Sequence, residues 1–95
     1  MIERHITFNV HPAKGAEFER FFAQSYAPEM AQSPGFVRVE LLREADTDTR
    51  YQMVMRWTDA EAATTWRTSP VHQALQPALT ALFSTNEIQV YDVIG

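Results

Sequence analysis

Residues 2 to 10 alternate in polarity: Ile2, Ile6, Phe8 and Val10 share one parity, and Glu3, His5, Thr7 and Asn9 share the other. A period of two sends successive side chains to opposite faces of a strand, so the even positions form an apolar face and the odd positions a polar one. From Ala13 to about Ala31 the spacing lengthens to three and four, with Phe18, Phe21, Phe22, Ser25, Tyr26, Glu29 and Met30 on one stripe, which predicts a helix. Pro28 should bend or end its first part. Ser33-Pro34-Gly35 then stops the helix and delivers Phe36 to a second strand reaching Glu44. The same order recurs: a strand from Tyr51 to Trp57, a helical stretch from Asp59 to Phe83, and a strand from Ile88 to Ile94. Thr58-Asp59-Ala60-Glu61 reads as a capping box in which Thr58 and Glu61 satisfy free backbone donors. Ser69-Pro70 reads as a fresh N-cap followed by proline at the first helical position, and Pro77 interrupts the pattern again, so this stretch should hold two or three helical pieces.

Two βαβ units therefore follow one another, joined by the polar turn formers Glu44 to Thr49, a linker short enough for a hairpin. The hairpin places both units in one antiparallel sheet, and right-handed crossovers put both helices on the same face of it. The predicted fold is a ferredoxin-like α+β arrangement, βαββαβ with a four-stranded antiparallel sheet. Val37, Val39 and Leu41 oppose Arg38 and Glu40, Met53 and Met55 oppose Gln52 and Arg56, and Ile88 and Val90 oppose Gln89 and Tyr91. One sheet face is thus a core and the other is mixed. On so small a protein a bare mixed face is most easily explained if it meets a copy of itself in a homodimer.

Length and composition fit a single domain over residues 1–95, with 45% apolar content. A chain of this size buries only about two-thirds of its unfolded surface, so an open cavity would leave little stability to spare in a monomer. The absence of cysteine excludes a thiol nucleophile and a disulfide and fits a reducing cytoplasm. Met1, Glu3, Arg4 and His5 form no apolar leader and no apolar run approaches a membrane span, so neither secretion nor a membrane partner is expected. The formal charge of -4 argues against nucleic acid. There is no Gly-rich phosphate loop, and the three histidines lack the spacing of metal ligands.

Several separated signatures resemble the antibiotic biosynthesis monooxygenase domain. They are His11-Pro12-Ala13-Lys14-Gly15-Ala16-Glu17-Phe18 after the first strand, Ser33-Pro34-Gly35-Phe36 entering the second, Trp57-Thr58-Asp59-Ala60-Glu61-Ala62 after the third, and Trp66-Arg67-Thr68-Ser69-Pro70-Val71-His72. The resemblance covers nearly the whole chain. It implies a dimeric α/β barrel, two sheets back to back, with a pocket in each subunit between sheet and helices. It also implies oxidation of aromatic, quinol-like or polyketide-type compounds by O₂ without metal or flavin, or else haem degradation. In haem-degrading relatives a histidine ligand stands ten residues beyond the tryptophan, where this chain has Gln76, and their first-strand asparagine falls at Phe8, with Asn9 on the other parity. In quinone-forming relatives the tryptophan has an asparagine one turn earlier and a tyrosine six residues later, and here those positions are Ala62 and His72.

Cofactor-free oxygenation requires a base, an apolar pocket and room for O₂. His72, with an ordinary pKa near 6.5, suits the base, and Trp66 can stack on a substrate or donate its indole N–H. Six residues of unbroken helix would hold the two about 120° apart, so they converge only if the Ser69-Pro70 junction breaks the helix. Phe8, Phe22, Met55 and Leu75 are the expected substrate-binding wall, around a void of about 300 Å³ or more. The plainer alternative makes Trp66 a core plug, His72 a partly exposed helix-start residue, and the methionines and phenylalanines ordinary core. Three functions follow: a cofactor-independent monooxygenase acting on a small aromatic molecule, a haem-binding or haem-degrading protein, and a non-catalytic dimeric ligand-binding domain.

Overall fold

The computed structural model describes all of residues 1–95. In chain order it contains β1 (Ile2–Val10), α1 (Gly15–Phe21), a π-helical turn (Phe22–Tyr26), α2 (Ala27–Met30), β2 (Phe36–Arg43), β3 (Arg50–Trp57), α3 (Ala60–Thr68), α4 (Pro70–Thr80) and β4 (Phe83–Asp92). The sheet is open and antiparallel, in the order β2-β3-β1-β4. This is the ferredoxin-like α+β fold expected from the alternation. β1 is central, and its even residues are all buried: Ile2, Arg4, Ile6, Phe8 and Val10. They meet Phe18, Tyr26, Met30, Ala63, Trp66, Leu79 and Leu82 from the helical layer in one core. Each large apolar side chain taken from water there contributes roughly 1.5–3 kcal/mol.

Several boundaries differ from the sequence expectation, each for a local reason. The first helix starts at Gly15 and not Ala13, because Ala13 has a left-handed φ of 68°, which no right-handed helix includes. Ahead of Pro28 the helix loosens into the π turn, where the Ala27 N–H donates to the Phe22 carbonyl five residues back. Proline can neither donate to nor sit comfortably against the carbonyl four residues before it, and the wider turn accommodates this. The cap of α3 is Asp59, whose carboxylate accepts from the Ala62 N–H at 2.8 Å, not the expected Thr58. Pro77 does not interrupt α4, which continues to Thr80.

The two sheet edges also depart from simple alternation. A bulge between Phe36 and Arg38 leaves Val37 exposed and out of register, so the core face of β2 is Phe36, Val39 and Leu41. β4 begins at Phe83, five residues before the expected Ile88. Its polar start, Ser84 to Glu87, gives no apolar alternation to read; Thr85 to Glu87 pair with β1, and Ser84 is the extra residue at a bulge opposite Asn9 and Val10. Ile88 and Val90 have the expected core-face parity, facing across from Ile6 and Arg4, yet they are 49% and 59% exposed because the helical layer stops short of this edge.

Gly35 closes the first βαβ unit with φ of 81°, and a Cβ there would stand 2.4 Å from the Ala62 Cβ at the start of α3. Both the backbone conformation and the space exclude a side chain. Gly35→Ala should therefore cost about 2–4 kcal/mol in urea unfolding, combining backbone strain with overpacking.

Candidate active site

On the helical side of β1 and β4 lies a cavity of about 110 Å³. Its floor is Arg4, Ile6 and Phe8 of β1, with Phe83, Asn86 and Ile88 of β4. Its roof is Tyr26, Trp66 and Arg67 together with His72, Gln76 and Leu79 of α4. The last three recur at the four- and three-residue steps of one helix face. Gln76, Asn86, Arg67 and Ile88 are exposed and mark the mouth, whereas Arg4, Phe8, Tyr26 and Trp66 are buried.

The roof depends on two interruptions of helix. Ser69 lies between α3 and α4 with extended backbone, φ -67° and ψ 150°. Its hydroxyl donates to the Trp66 carbonyl at 2.7 Å and accepts from the His72 N–H at 3.1 Å. The end of one helix and the start of the next are thereby tied through one side chain, with Pro70 at the first helical turn. The result is a Trp66 to His72 ring distance of 5.2 Å in an edge-on arrangement, which an unbroken helix would not permit. The π turn does the corresponding work for Tyr26. Its ring stands 5.7 Å from Trp66 and 5.9 Å from His72, and its hydroxyl is 3.2 Å from His72 Nε2.

Charge states follow from this burial. Desolvation is the main cause that pushes the Tyr26 phenol above its ordinary value, opposed by the nearby Trp66 indole and the positive charge of Arg4, so the phenol stays protonated at neutral pH. The indole lies close enough to temper that rise but not in hydrogen-bond geometry, and Trp66 Nε1 is buried with no partner. Burial also holds His72 below its ordinary value; a contact with the Arg67 backbone opposes the shift, and the charges of Arg4 and Arg67 add to it. His72 is therefore neutral at pH 7. With its proton on Nδ1, Nε2 accepts from the Tyr26 hydroxyl.

Of the residues singled out in the sequence, Phe8, Trp66 and His72 come together at this cavity. Met55 does not reach it: it lies on β3, one strand away, 1% exposed within the core. Phe22 precedes the π turn's inward residue and borders an open hollow with Glu19, Leu41, Arg43 and Tyr51. Leu75 packs against the core beside the stripe formed by His72, Gln76 and Leu79. Gln76, standing where a haem ligand would be required, sits at the mouth. Sequence reasoning missed Arg4 and Tyr26. Arg4 carried a legible signal, a cation on the apolar parity of β1, and Tyr26 lay on the apolar stripe without being distinguished from core. No group of three potential metal ligands occurs, and no helix is long and apolar enough to cross a membrane.

Comparison with known proteins places this geometry in context. The sequence model of the antibiotic biosynthesis monooxygenase family matches residues 1–78. The chain belongs to that family. It is 43% identical over 82 residues to a deoxynogalonate monooxygenase of Streptomyces nogalater, a match that takes in 84% of this chain and spans 65% of that relative's length. It is also similar to the crystal structure of SnoaB, a cofactor-independent oxygenase from the same organism, at 38% identity and TM-score 0.89, over 99% of this chain and 93% of that one. A Nitrosomonas europaea protein keeps the fold over 100% of both chains at 14% identity, with TM-score 0.88.

The depressed pKa of His72 has a consequence for stability. The unfolded chain takes up a proton at this position near pH 6.5, while the folded chain takes it up only at lower pH. The contribution of His72 is therefore fully present above about pH 6.5 and is lost as pH falls through the folded value. Urea midpoints measured from pH 7 to pH 5 should fall in the wild type, and the fall should be smaller in His72→Gln.

Proposed function

We propose that this protein is a cofactor-independent monooxygenase that oxidises a small aromatic, quinol-like or polyketide-type compound with O₂. The observation carrying this reading is the convergence of a neutral His72 and a protonated Tyr26, with the Trp66 ring beside both, on one cavity lined mostly by apolar residues. The family match and the likeness to SnoaB support the same reaction class.

For an anthrone-like methylene the chemistry balances without an external reductant. His72 Nε2 takes one proton, the carbanion gives an electron to O₂, and the radical pair joins at carbon as a peroxide anion that takes the proton back from the His72 imidazolium. The hydroperoxide then loses water to leave a carbonyl. One oxygen atom ends in the product and the other in water, with all electrons supplied by the substrate. In this reading the substrate's acidic hydrogen takes the place at Nε2 that the Tyr26 hydroxyl now holds by a single neutral bond, which supports His72 as the base. The indole N–H of Trp66, buried and without a partner in the closed cavity, would donate to the oxyanion once the substrate opens access to it. A cavity of about 110 Å³ is smaller than the roughly 300 Å³ of a ligand pocket, so a polycyclic substrate requires the mouth side chains Gln76, Asn86 and Ile88 to swing outward.

Oxygen consumption with a panel of anthrones and hydroquinones tests the reading. His72→Ala should lower turnover by about 10²-fold or more, far more than it lowers stability, and Trp66→Phe should act mainly on substrate affinity. Absence of turnover with the whole panel, or full activity in His72→Ala, would sink it.

The same reading includes a homodimer through the outer sheet face. There Glu3 gathers His5 at 2.8 Å, Arg56 at 2.6 Å and Arg38 at 3.5 Å, beside Val54 and a half-exposed Tyr91 whose ring lies 4.7 Å from His5. Light scattering at micromolar concentration should report a dimer. Arg56→Glu, which sets a second carboxylate against Glu3, should weaken it far more than Arg20→Glu on the exposed side of α1.

A further inference from the structure

Arg4 is the only buried charged residue of the chain, 7% exposed on the core face of the central strand. It is flanked along β1 by Ile2 and Ile6 and across the sheet by Met55 and Val90. The ion pairs of this protein all lie elsewhere: Glu3 with His5, Arg38 and Arg56, Lys14 with Glu17, Arg38 with Glu40, Arg43 with Glu19, and Arg50 with Glu44. Every other arginine except the exposed Arg20 and Arg67 has a carboxylate; the one that most requires a counter-ion has none. Taking a guanidinium out of water without a partner is costly, and removal of such a charge in favour of an apolar side chain commonly stabilises a fold.

Arg4 lines the cavity, and none of the polar groups it finds there can neutralise it. Around it stand Tyr26, held protonated, His72, neutral, the indole of Trp66, and a second cation, Arg67, at the mouth. No carboxylate lines the cavity. Arg67 donates only to Thr64 on its own helix, at 3.5 Å. The cavity is therefore a mostly apolar chamber with two positive charges and no negative one, and the deeper charge is carried by a strand paired along both edges. A guanidinium presents a planar fork that fits a carboxylate through two parallel hydrogen bonds.

We infer that Arg4 is an anion-binding residue of this cavity, taking the carboxylate of an aromatic acid and so selecting aromatic acids over their neutral counterparts. The inference rests on the oxygenase reading for the aromatic character of the ligand but not for its charge. It gives the cavity a polarity along its depth: carboxylate at the β1 floor, ring against Phe8 and Trp66, and the reacting position under His72.

Calorimetric titration with 2-naphthoate and its neutral analogue 2-naphthamide tests this without reliance on turnover. The wild type should bind naphthoate about tenfold or more tightly than naphthamide, as expected for a charge-assisted bidentate pair. In Arg4→Met the two affinities should fall within roughly twofold of each other, with naphthamide binding retained and the melting temperature raised. Arg4→Lys, which keeps the charge and loses the fork, should show an intermediate preference and decides the matter should Arg4→Met fail to fold. Equal affinities in the wild type, no binding of naphthoate, or a preference that survives in Arg4→Met would each overturn the inference. A clear naphthoate preference in a protein that consumes no oxygen would leave the anion site standing and remove the oxygenase reading; turnover of neutral anthrones without that preference would do the reverse.

Discussion

β1 is hydrogen-bonded along both of its edges, to β3 and to β4, and its two-residue period is therefore imposed on the whole sheet. A slip by one residue would exchange Ile6 and Phe8 for His5 and Thr7 beneath the helices and turn the core inside out. The same constraint fixes the cavity. Arg4, Ile6 and Phe8 form its floor only because they share the parity of Ile2 and Val10, and Asn86 and Ile88 face it only because they pair with Phe8 and Ile6. A strand in this position is also the least mobile place from which to present a charge, since it is paired on both sides and covered on one face.

The helical layer does the opposite kind of work. A regular helix would point Trp66 and His72 apart and would carry Tyr26 along an uninterrupted stripe. Two irregularities, the π turn before Pro28 and the extended Ser69 before Pro70, rotate the following segments so that three side chains from three segments meet over one spot. Each irregularity is anchored by a proline that cannot extend the preceding helix, and Ser69 replaces the lost backbone bonds with two of its own. Shape on the sheet side comes from regularity, and shape on the helix side comes from its controlled loss.

This contrast explains what the sequence disclosed. The strands β1 and β3, the hairpin at Glu44 to Thr49, and the Ser69-Pro70 junction were legible because a period, a turn composition and a capping pair are local signals. The early start of β4 was not, because Ser84 to Glu87 owe their extended state to pairing with β1, a tertiary cause that overrides weak propensity. The displaced cap at Asp59 reflects competition between two adjacent capping residues, which spacing alone does not decide. The wall of the cavity was only partly legible. Parity marks Phe8 and Met55 alike as inward, but which strand lies beneath the cavity depends on where the helices cross the sheet, and they leave the gap over β1 and β4. Arg4 was passed over because reading a strand by its apolar members discards the charged residue that interrupts them.

An unsatisfied buried group is not by itself a mark of function, and the protein contains its own control. Trp57 Nε1 is as unpartnered as Trp66 Nε1, yet Trp57 is 0% exposed, lies edge-on to Phe36 in the core and does not line the His72 cavity. A lone indole N–H left without a partner costs about 1–3 kcal/mol, which burial of so large an aromatic can offset. Trp66 differs in what accompanies it: its side chain lines a cavity together with a neutral imidazole, a protonated phenol and an uncompensated guanidinium. An uncompensated guanidinium and an unpartnered indole beside a neutral imidazole–phenol pair are difficult to reconcile with a core selected for stability alone. Under the proposed reading these groups become complementary once an aromatic anion occupies the chamber, because it would supply the acceptor that Arg4 lacks and the acidic hydrogen that His72 would take.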